Sequence, residues 1–101
     1  MIVEYIRYRV PGHGGDRLVE AYDKAAEPLF ASGHCLGYEV SRCVDDPEAF
    51  VVRIEWDSAE GHLEGFRGGP QFPAFFELIR PFVQMIEEMR HYEARTTRSA
   101  S

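Results

Sequence analysis

The side chain in this sequence best suited to chemistry is His62, because it lies in an aromatic and apolar stretch. It follows the only tryptophan, Trp56, by six residues and precedes Phe66 by four. An imidazole titrates near neutral pH, so His62 on a helix facing a sheet can accept a proton from a phenol. The alternative is a structural histidine, hydrogen-bonded where helix meets sheet or at a contact between two copies. His62 is therefore the candidate catalytic residue.

Aromatic residues around His62 are candidates for the wall of a substrate pocket. The indole of Trp56 offers a flat surface for an aromatic ring, although it could equally be the largest side chain of the core. Tyrosine hydroxyls can orient a substrate oxygen, although core packing explains their positions equally well. The candidate substrate-binding residues are Trp56, Tyr5, Tyr38, Phe66, Phe72 and Phe76, with Tyr22 and Tyr92 as further phenol donors.

The histidines do not have the spacing of a metal-binding motif. The sequence has four of them, His13, His34, His62 and His91, and none form an H-x-H or H-E-x-x-H pattern. No phosphate-binding glycine loop and no Ser-His-Asp signature is visible either. We therefore expect no metal and no cofactor. Oxidation without a cofactor remains open, because an electron-rich phenolate can itself reduce oxygen.

Charge and composition limit the class of partner. The net charge of −6 argues against nucleic acid, since phosphate binding needs a basic face. The chain starts with a strand-like segment rather than a signal peptide, and no apolar run approaches the roughly 20 residues of a membrane span. We expect a soluble cytoplasmic protein that binds a small aromatic molecule.

The two cysteines are expected to be reduced. If one strand spans 36–44, Cys35 and Cys43 are roughly 26 Å apart at ~3.3 Å per residue. A disulfide needs Cα atoms within about 7 Å, so the two cannot pair within one chain. Reduced thiols agree with a cytosolic location.

The elements that must position these residues follow from hydrophobic periodicity. The strands are predicted at 2–10, 36–44, 50–56 and 85–92, with a helix after the first strand and two helical segments after the third. On the first strand Glu4 shares a face with Ile6 and Tyr8, and on the third Trp56 ends a core face. This order predicts an α+β fold, the ferredoxin-like split βαβ, with a four-stranded antiparallel sheet. Residues 1–93 form the domain, and 94–101 form a polar tail expected to be disordered.

One face of the predicted sheet has no helix to cover it. That face mixes valines and aromatic residues with arginine and glutamate, for example Val51, Arg53 and Glu55 on the third strand. It is too apolar to be fully hydrated, and a second copy packed sheet to sheet would bury it. We therefore expect a homodimer.

The ordered set of motifs resembles the antibiotic biosynthesis monooxygenase domain family. The matching features are Tyr38 early in the second strand, Asp45-Asp46-Pro47 at the hairpin, Glu55-Trp56-x-Ser58, His62 six residues after the tryptophan, and Pro70-x-Phe72-x-x-Phe75 at the start of the last helix. The resemblance covers 1–92. It implies a dimeric α/β barrel with a pocket between sheet and helices in each subunit. Some members oxidise polyphenols or quinols with molecular oxygen and neither metal nor flavin, and others degrade haem.

Three hypotheses follow from the residues and the resemblance. The first is a small cofactor-independent monooxygenase in which His62 deprotonates or orients a phenolic or quinol substrate. The second is a non-catalytic dimeric ligand-binding or accessory module with haem or a globin as partner, because the C-terminal motifs are similar to a subgroup found joined to, or beside, truncated globins. The third, haem degradation, is disfavoured because Ile6, Gly65 and Phe75 replace the asparagine, tryptophan and histidine of haem-degrading relatives.

Overall fold

The structure consists of a four-stranded antiparallel sheet with helices packed on one face. A computed structural model describes residues 1–100. The strands are β1 (Ile2–Arg9), β2 (Cys35–Arg42), β3 (Ala49–Trp56) and β4 (Ile86–Glu93), in the spatial order β2-β3-β1-β4. The helices are α1 (Gly15–Ala31), a π-helix (Gly61–Arg67), α2 (Phe72–Ile79) and a 3₁₀ helix (Arg80–Met85). The predicted α+β, ferredoxin-like fold is confirmed.

The core lies between the helices and one face of the sheet. Strand alternation decides which side chains enter it, since successive residues of a strand point to opposite faces. On β3, Phe50, Val52, Ile54 and Trp56 are buried as predicted, while the residues between them are only half-buried. The other core side chains include Ile6, Tyr8, Leu18, Tyr22, Leu29, Phe66, Phe75 and Ile79.

The predicted strand boundaries differ from the structure by one or two residues, most clearly in β2 and β4. β2 begins at Cys35, with an irregular register before Gly37, and ends at Arg42. The backbone N–H of Cys43 already bonds to the carbonyl of Ala49 across the hairpin, and Val44 beyond it is 96% exposed. β4 begins at Ile86 rather than at residue 85, because the 3₁₀ helix occupies the preceding residues.

The remaining predictions about the chain concern its ends and its cysteines. β4 ends at Glu93, and residues 94–100 form neither helix nor strand; the disordered tail stays a prediction, and Ser101 lies outside the described residues. Cys35 is buried, Cys43 is exposed, and both are free thiols, as their separation predicted. Within residues 1–100, no helix is both long enough and apolar enough to cross a membrane.

The π-helix that carries His62 is fixed by close packing against His34. The Nδ1 atom of His34 lies 2.9 Å from Oδ2 of Asp57, and its ring lies against the backbone of Gly65, where a Cβ atom would overlap it. Ser58 begins the helical segment, since its Oγ accepts the N–H of Gly61 at 2.9 Å. A π-helix is rare and occurs frequently at functional sites.

Replacing Gly65 by alanine is expected to destabilise the fold by about 1–3 kcal/mol, because the added methyl group must displace the His34 ring. Alanine in place of a helix glycine would otherwise stabilise by about 0.5–1 kcal/mol, so the sign of the change identifies the overlap. Urea unfolding measures it. Gly37→Ala is the matched control, since a Cβ atom there has no neighbour within 4 Å. Equal stability of the two variants would contradict the role of His34.

Candidate functional site

Three buried side chains from three elements meet at the helix-facing side of the sheet. Glu4 of β1 is 3% exposed, and its Oε1 accepts the indole N–H of Trp56 at 3.1 Å. The Trp56 ring stacks on the imidazole of His62, with centroids 4.4 Å apart. The Nε2 atom of His62 lies 3.5 Å from the same Glu4 oxygen. Glu4, Trp56 and His62 therefore form one packed unit, here named the polar triad.

Two partly exposed cationic or titratable side chains complete the surroundings of the polar triad. The Nε2 atom of His91 lies 3.1 Å from Nδ1 of His62 and 3.6 Å from Oε2 of Glu4. Arg67 brings a guanidinium nitrogen within 3.8 Å of the same Glu4 oxygen. The antiparallel register places His91 directly opposite Glu4, so its side chain shares the helix-facing side of the sheet while remaining partly exposed.

A cavity of about 220 Å³ lies beside the polar triad, between sheet and helices. Its lining is mostly apolar and aromatic, and Glu4, His62 and Arg67 supply its carboxyl, imidazole and guanidinium groups. The other lining residues are Ile6, Tyr8, Tyr22, Ile54, Trp56, Phe66, Phe72, Phe75, Phe76, Ile79, Val83, Ile86 and Met89. Drug-sized ligands occupy pockets of roughly 300–1,000 Å³, so this cavity suits a ligand of one or two rings.

Burial sets the ionisation of the two titratable members of the polar triad. Burial raises the pKa of Glu4 above its usual value, against the opposing effects of the Trp56 hydrogen bond and the charges of His91 and Arg67. Burial also lowers the pKa of His62 to about 4, and the positive charge of Arg67 adds to this effect. His62 is therefore a neutral imidazole at neutral pH, with one nitrogen free to accept a proton.

Two tyrosines in the lining of the cavity form a hydrogen-bonded pair. The hydroxyl oxygens of Tyr8 and Tyr22 are 2.7 Å apart, and both side chains are fully buried. Burial raises the pKa of Tyr8 to about 12 and raises the pKa of Tyr22 further above its usual range. Both hydroxyls therefore stay protonated at neutral pH.

The low pKa of His62 predicts a specific dependence of stability on pH. The pKa of histidine in the unfolded chain is about 6.5, so between that pH and pH 4 the unfolded chain binds a proton that folded His62 does not. Stability should therefore fall as pH is lowered through this window, by about 3 kcal/mol from this residue. Urea unfolding of the wild type and His62→Gln at several pH values isolates the effect, because the variant lacks the titrating group. Parallel pH profiles of the two proteins would contradict it.

The same residues include a set of potential metal ligands. Each of Glu4, His62 and His91 offers one ligand atom, and these three atoms lie within 4.8 Å of one another. Two histidines and a carboxylate suit a transition metal, and sequence spacing gave no sign of the cluster because its members come from β1, the π-helix and β4. However, Trp56 already donates to the carboxylate, and the guanidinium of Arg67 beside it opposes a cation. The arrangement therefore fits a proton-handling group better than a metal centre.

The structure gathers most, but not all, of the residues that the sequence proposed for substrate binding. Those that line the cavity with His62 are Trp56, Phe66, Phe72 and Phe76, together with Tyr22. Phe66 also packs edge-on against Phe72, with centroids 5.5 Å apart. The proposed substrate-binding role of each stays a prediction.

Tyr5 and Tyr38 do not line this cavity. Tyr5 alternates with Glu4 on β1 and so lies on the opposite face of the sheet, edge-on to Tyr92 and accepting a hydrogen bond from Arg53. Tyr38 lies on the edge strand β2, where its ring packs between those of Tyr22 and Phe30. Neither side chain is therefore part of the lining of the cavity beside His62.

Four residues of the site were not identified from the sequence as site residues, namely Glu4, Tyr8, Arg67 and His91. The available signal was Glu4, a carboxylate on the apolar face of β1 between Ile2 and Ile6. A charge in such a position has to find a partner when it is buried. Its partners lie 52, 58 and 87 residues further along the chain, so local patterning could not supply them.

Comparison with known proteins gives consistent matches. A family model described as antibiotic biosynthesis monooxygenase matches residues 1–78. The Bacillus subtilis protein YczJ is 23% identical over 74 residues, which are 73% of this chain and 78% of YczJ. SnoaB of Streptomyces nogalater, a cofactor-independent oxygenase, has a similar structure with a TM-score of 0.76 at 15% identity, covering 95% of this chain and 94% of SnoaB. Rv0793 of Mycobacterium tuberculosis superposes with a TM-score of 0.72 at 15% identity, covering 97% and 98%.

Proposed function

This chain belongs to the antibiotic biosynthesis monooxygenase family, and from that premise we propose that it oxidises a small phenolic or quinol substrate with molecular oxygen. The proposal requires no metal or flavin, because the substrate itself supplies the electrons. The observation that carries it is the apolar cavity of about 220 Å³ with one polar wall, formed by the polar triad. The structural similarity to SnoaB, a cofactor-independent oxygenase, adds support by analogy.

In the proposed complex the substrate ring lies in the aromatic part of the cavity, against Trp56 and Phe66. Its hydroxyl group points to the polar wall, where the neutral imidazole of His62 accepts the phenolic proton and Glu4 stabilises the resulting imidazolium at 3.5 Å. The guanidinium of Arg67, which also lines the cavity, favours the phenolate that remains. Deprotonation is the useful step because a phenolate is a much better reductant than a phenol.

The reaction balances without an external reductant. A ring carbon of the phenolate forms a bond to oxygen, and the intermediate is a hydroperoxide. Loss of water then converts this carbon into a carbonyl group, and the product is a quinone. One oxygen atom enters the product and the other leaves as water, which takes up the phenolic proton and the ring hydrogen.

Oxygen consumption by the purified protein tests the proposal. A panel of one-ring and two-ring phenols and hydroquinols is offered, and uptake is followed with an oxygen electrode. Under ¹⁸O₂, a monooxygenase acting on a phenol should place one labelled oxygen in each quinone formed. No uptake above buffer across the panel would contradict the proposed reaction. Uptake without label in the product would indicate simple oxidation of the substrate.

The low pKa of His62 favours a second candidate, a ligand-binding module without catalysis, since a weakly basic imidazole can hold a phenol without deprotonating it. Quenching of the fluorescence of Trp56 by a phenol, with no oxygen uptake, would identify this function. The cavity does not support haem as a ligand, because its volume suits one or two rings rather than a tetrapyrrole.

We also propose that the helix-free face of the sheet packs against a second copy. Val51 lies half-buried on this face, and Arg53 pairs with Glu55 further along the same strand. Such alternating charges can pair with those of a second copy across a two-fold axis. The protein should therefore be a homodimer in which each cavity lies on the side of the sheet away from the contact between the two copies.

Val51→Glu is expected to shift the protein from dimer to monomer, because the contact between the two sheets would have to bury an acidic side chain in place of valine. Sedimentation equilibrium over a range of concentrations measures the change. Val44→Glu is the matched control, since Val44 is 96% exposed in the hairpin turn. A wild type that sediments as a monomer at all concentrations would overturn the proposed dimer.

A further inference from the structure

His62 contributes to the lining of two cavities. The inner one is the apolar cavity of about 220 Å³, and the outer one, of about 400 Å³, is open to solvent. The outer cavity is lined by Ile2, Ala59, His62, Leu63, His91, Tyr92 and Glu93. His62 itself is 2% exposed, so it has almost no direct contact with water. A proton taken from a ligand in the inner cavity therefore needs a route outward.

We infer that His91 is the outer member of a proton relay that connects His62 with solvent. The inference rests on the proposed function, because it describes how the proton of the substrate leaves the site and returns. His91 acts through His62 and does not contact the inner cavity, so it is a positioning and transfer residue. Nothing in the sequence spacing of the two histidines, which are 29 residues apart, indicates the pairing.

The hydrogen-bond geometry supports this route. Nε2 of His91 lies 3.1 Å from Nδ1 of His62, which is hydrogen-bond distance, while the side chain of His91 is 38% exposed. Glu4 reaches both rings, with one oxygen 3.5 Å from His62 Nε2 and the other 3.6 Å from His91 Nε2. The carboxylate can therefore stabilise a positive charge on whichever imidazole carries the proton.

The charged groups that face the relay come from three elements: β1, the π-helix and β4. Glu4 of β1 faces both rings, Arg67 of the π-helix lies on the inner side, and Glu93 of β4 lines the outer cavity. Arg67 repels a proton on the inner side, and burial lowers the pKa of His62 to about 4. Both effects drive the proton outward, towards the more exposed His91.

The transfer is balanced at each nitrogen. A proton arrives at Nε2 of His62, the proton of its Nδ1 moves to Nε2 of His91, and the proton of His91 Nδ1 passes to water. Both rings end neutral, each in its other tautomer. The return of a proton to the peroxide later in the reaction runs the same steps in reverse and resets both rings.

The first test is the hydrogen bond itself, measured without activity. Protein labelled with ¹⁵N-histidine should show a scalar coupling between His62 Nδ1 and His91 Nε2 across the N–H···N bond. Absence of this coupling in well-folded protein over the neutral pH range would overturn the relay.

The second test is proton transfer in His91→Asn, which keeps a polar side chain but cannot titrate. Oxygen uptake with the best hydroquinol should fall by about tenfold or more, and added imidazole should restore it in proportion to its concentration. His13→Asn, in an exposed loop, is the matched control and should behave as the wild type. A His91→Asn variant with full activity and no dependence on imidazole would overturn the relay while leaving the proposed function intact.

A third measurement separates failure of the relay from failure of the proposed reaction. Bound 4-nitrophenol reports its own protonation by absorbance after a pH jump, and it needs no oxygen chemistry. The wild type should equilibrate faster than His91→Asn, and imidazole should remove the difference. If no hydroquinol is oxidised, equal relaxation rates in this assay overturn the relay and a slower variant supports it. Failure of 4-nitrophenol to bind would overturn the relay and the ligand site together.

Discussion

His62→Ala is expected to lower the rate of oxygen uptake by about 10²–10⁴-fold, the usual contribution of general acid–base catalysis. The residue is buried beside the apolar cavity, and its ring is the neutral base that meets a phenol there. Glu4 lines the same cavity and has a raised pKa, so it can take over part of the proton transfer. Residual activity should therefore remain, with a different dependence on pH.

The measurement has to separate loss of catalysis from loss of binding. A phenol should still quench Trp56 in His62→Ala, because the aromatic lining of the cavity is unchanged. The loss should therefore appear mainly in kcat rather than in KM. His13→Ala is the matched control, since His13 lies exposed in the loop after β1. A fully active His62→Ala variant would show that His62 takes no part in the reaction.

Trp56→Ala is expected to destabilise the fold by about 3–5 kcal/mol, the largest effect on stability of any single change proposed. The side chain has no exposed surface and packs against both His62 and Phe66, with ring centroids 4.4 and 5.1 Å away. Its removal leaves a void next to an existing cavity. It also takes the hydrogen-bond donor from the buried oxygen of Glu4.

Trp56→Phe separates packing from hydrogen bonding. Phenylalanine keeps most of the ring contact but leaves Glu4 Oε1 without the indole N–H, which should cost about 1–3 kcal/mol. In a Glu4→Gln background, Trp56→Phe should cost less stability, because a neutral amide is easier to leave partly unsatisfied than a carboxylate. Urea unfolding of the four proteins gives this double-mutant cycle. Additive losses would mean that the Trp56–Glu4 bond contributes nothing to stability.

The fold could be predicted from the sequence because its signals are local. Alternation along β3 identified the core face that ends in Trp56, and the order of strands and helices identified the ferredoxin-like arrangement. Boundaries were less accurate where local geometry intervened, at the irregular start of β2 and at the 3₁₀ helix before β4. The separation of the two cysteines was equally a local property.

The residues of the site also fall into two groups, those with a local signal in the sequence and those that only the fold brings together. His62 and its aromatic neighbours were recognisable by residue type and spacing in one continuous segment. Tyr5 and Tyr38 were also chosen by type, but strand alternation and the position of β2 place them elsewhere. The place of His91 beside Glu4 could not be predicted from the sequence, because it depends on the pairing of β4 with β1.

By itself the sequence determined which segments become strands and helices and which stretch carries the aromatic pocket, because hydrophobic periodicity and caps act over a few residues. Only the tertiary structure decided that Glu4, Trp56, His62 and His91 meet, because hydrogen bonds between side chains depend on sheet register and helix position. The ionisation of the site belongs to this second group. Burial sets the pKa values of Glu4 and His62, and burial exists only once the chain has folded.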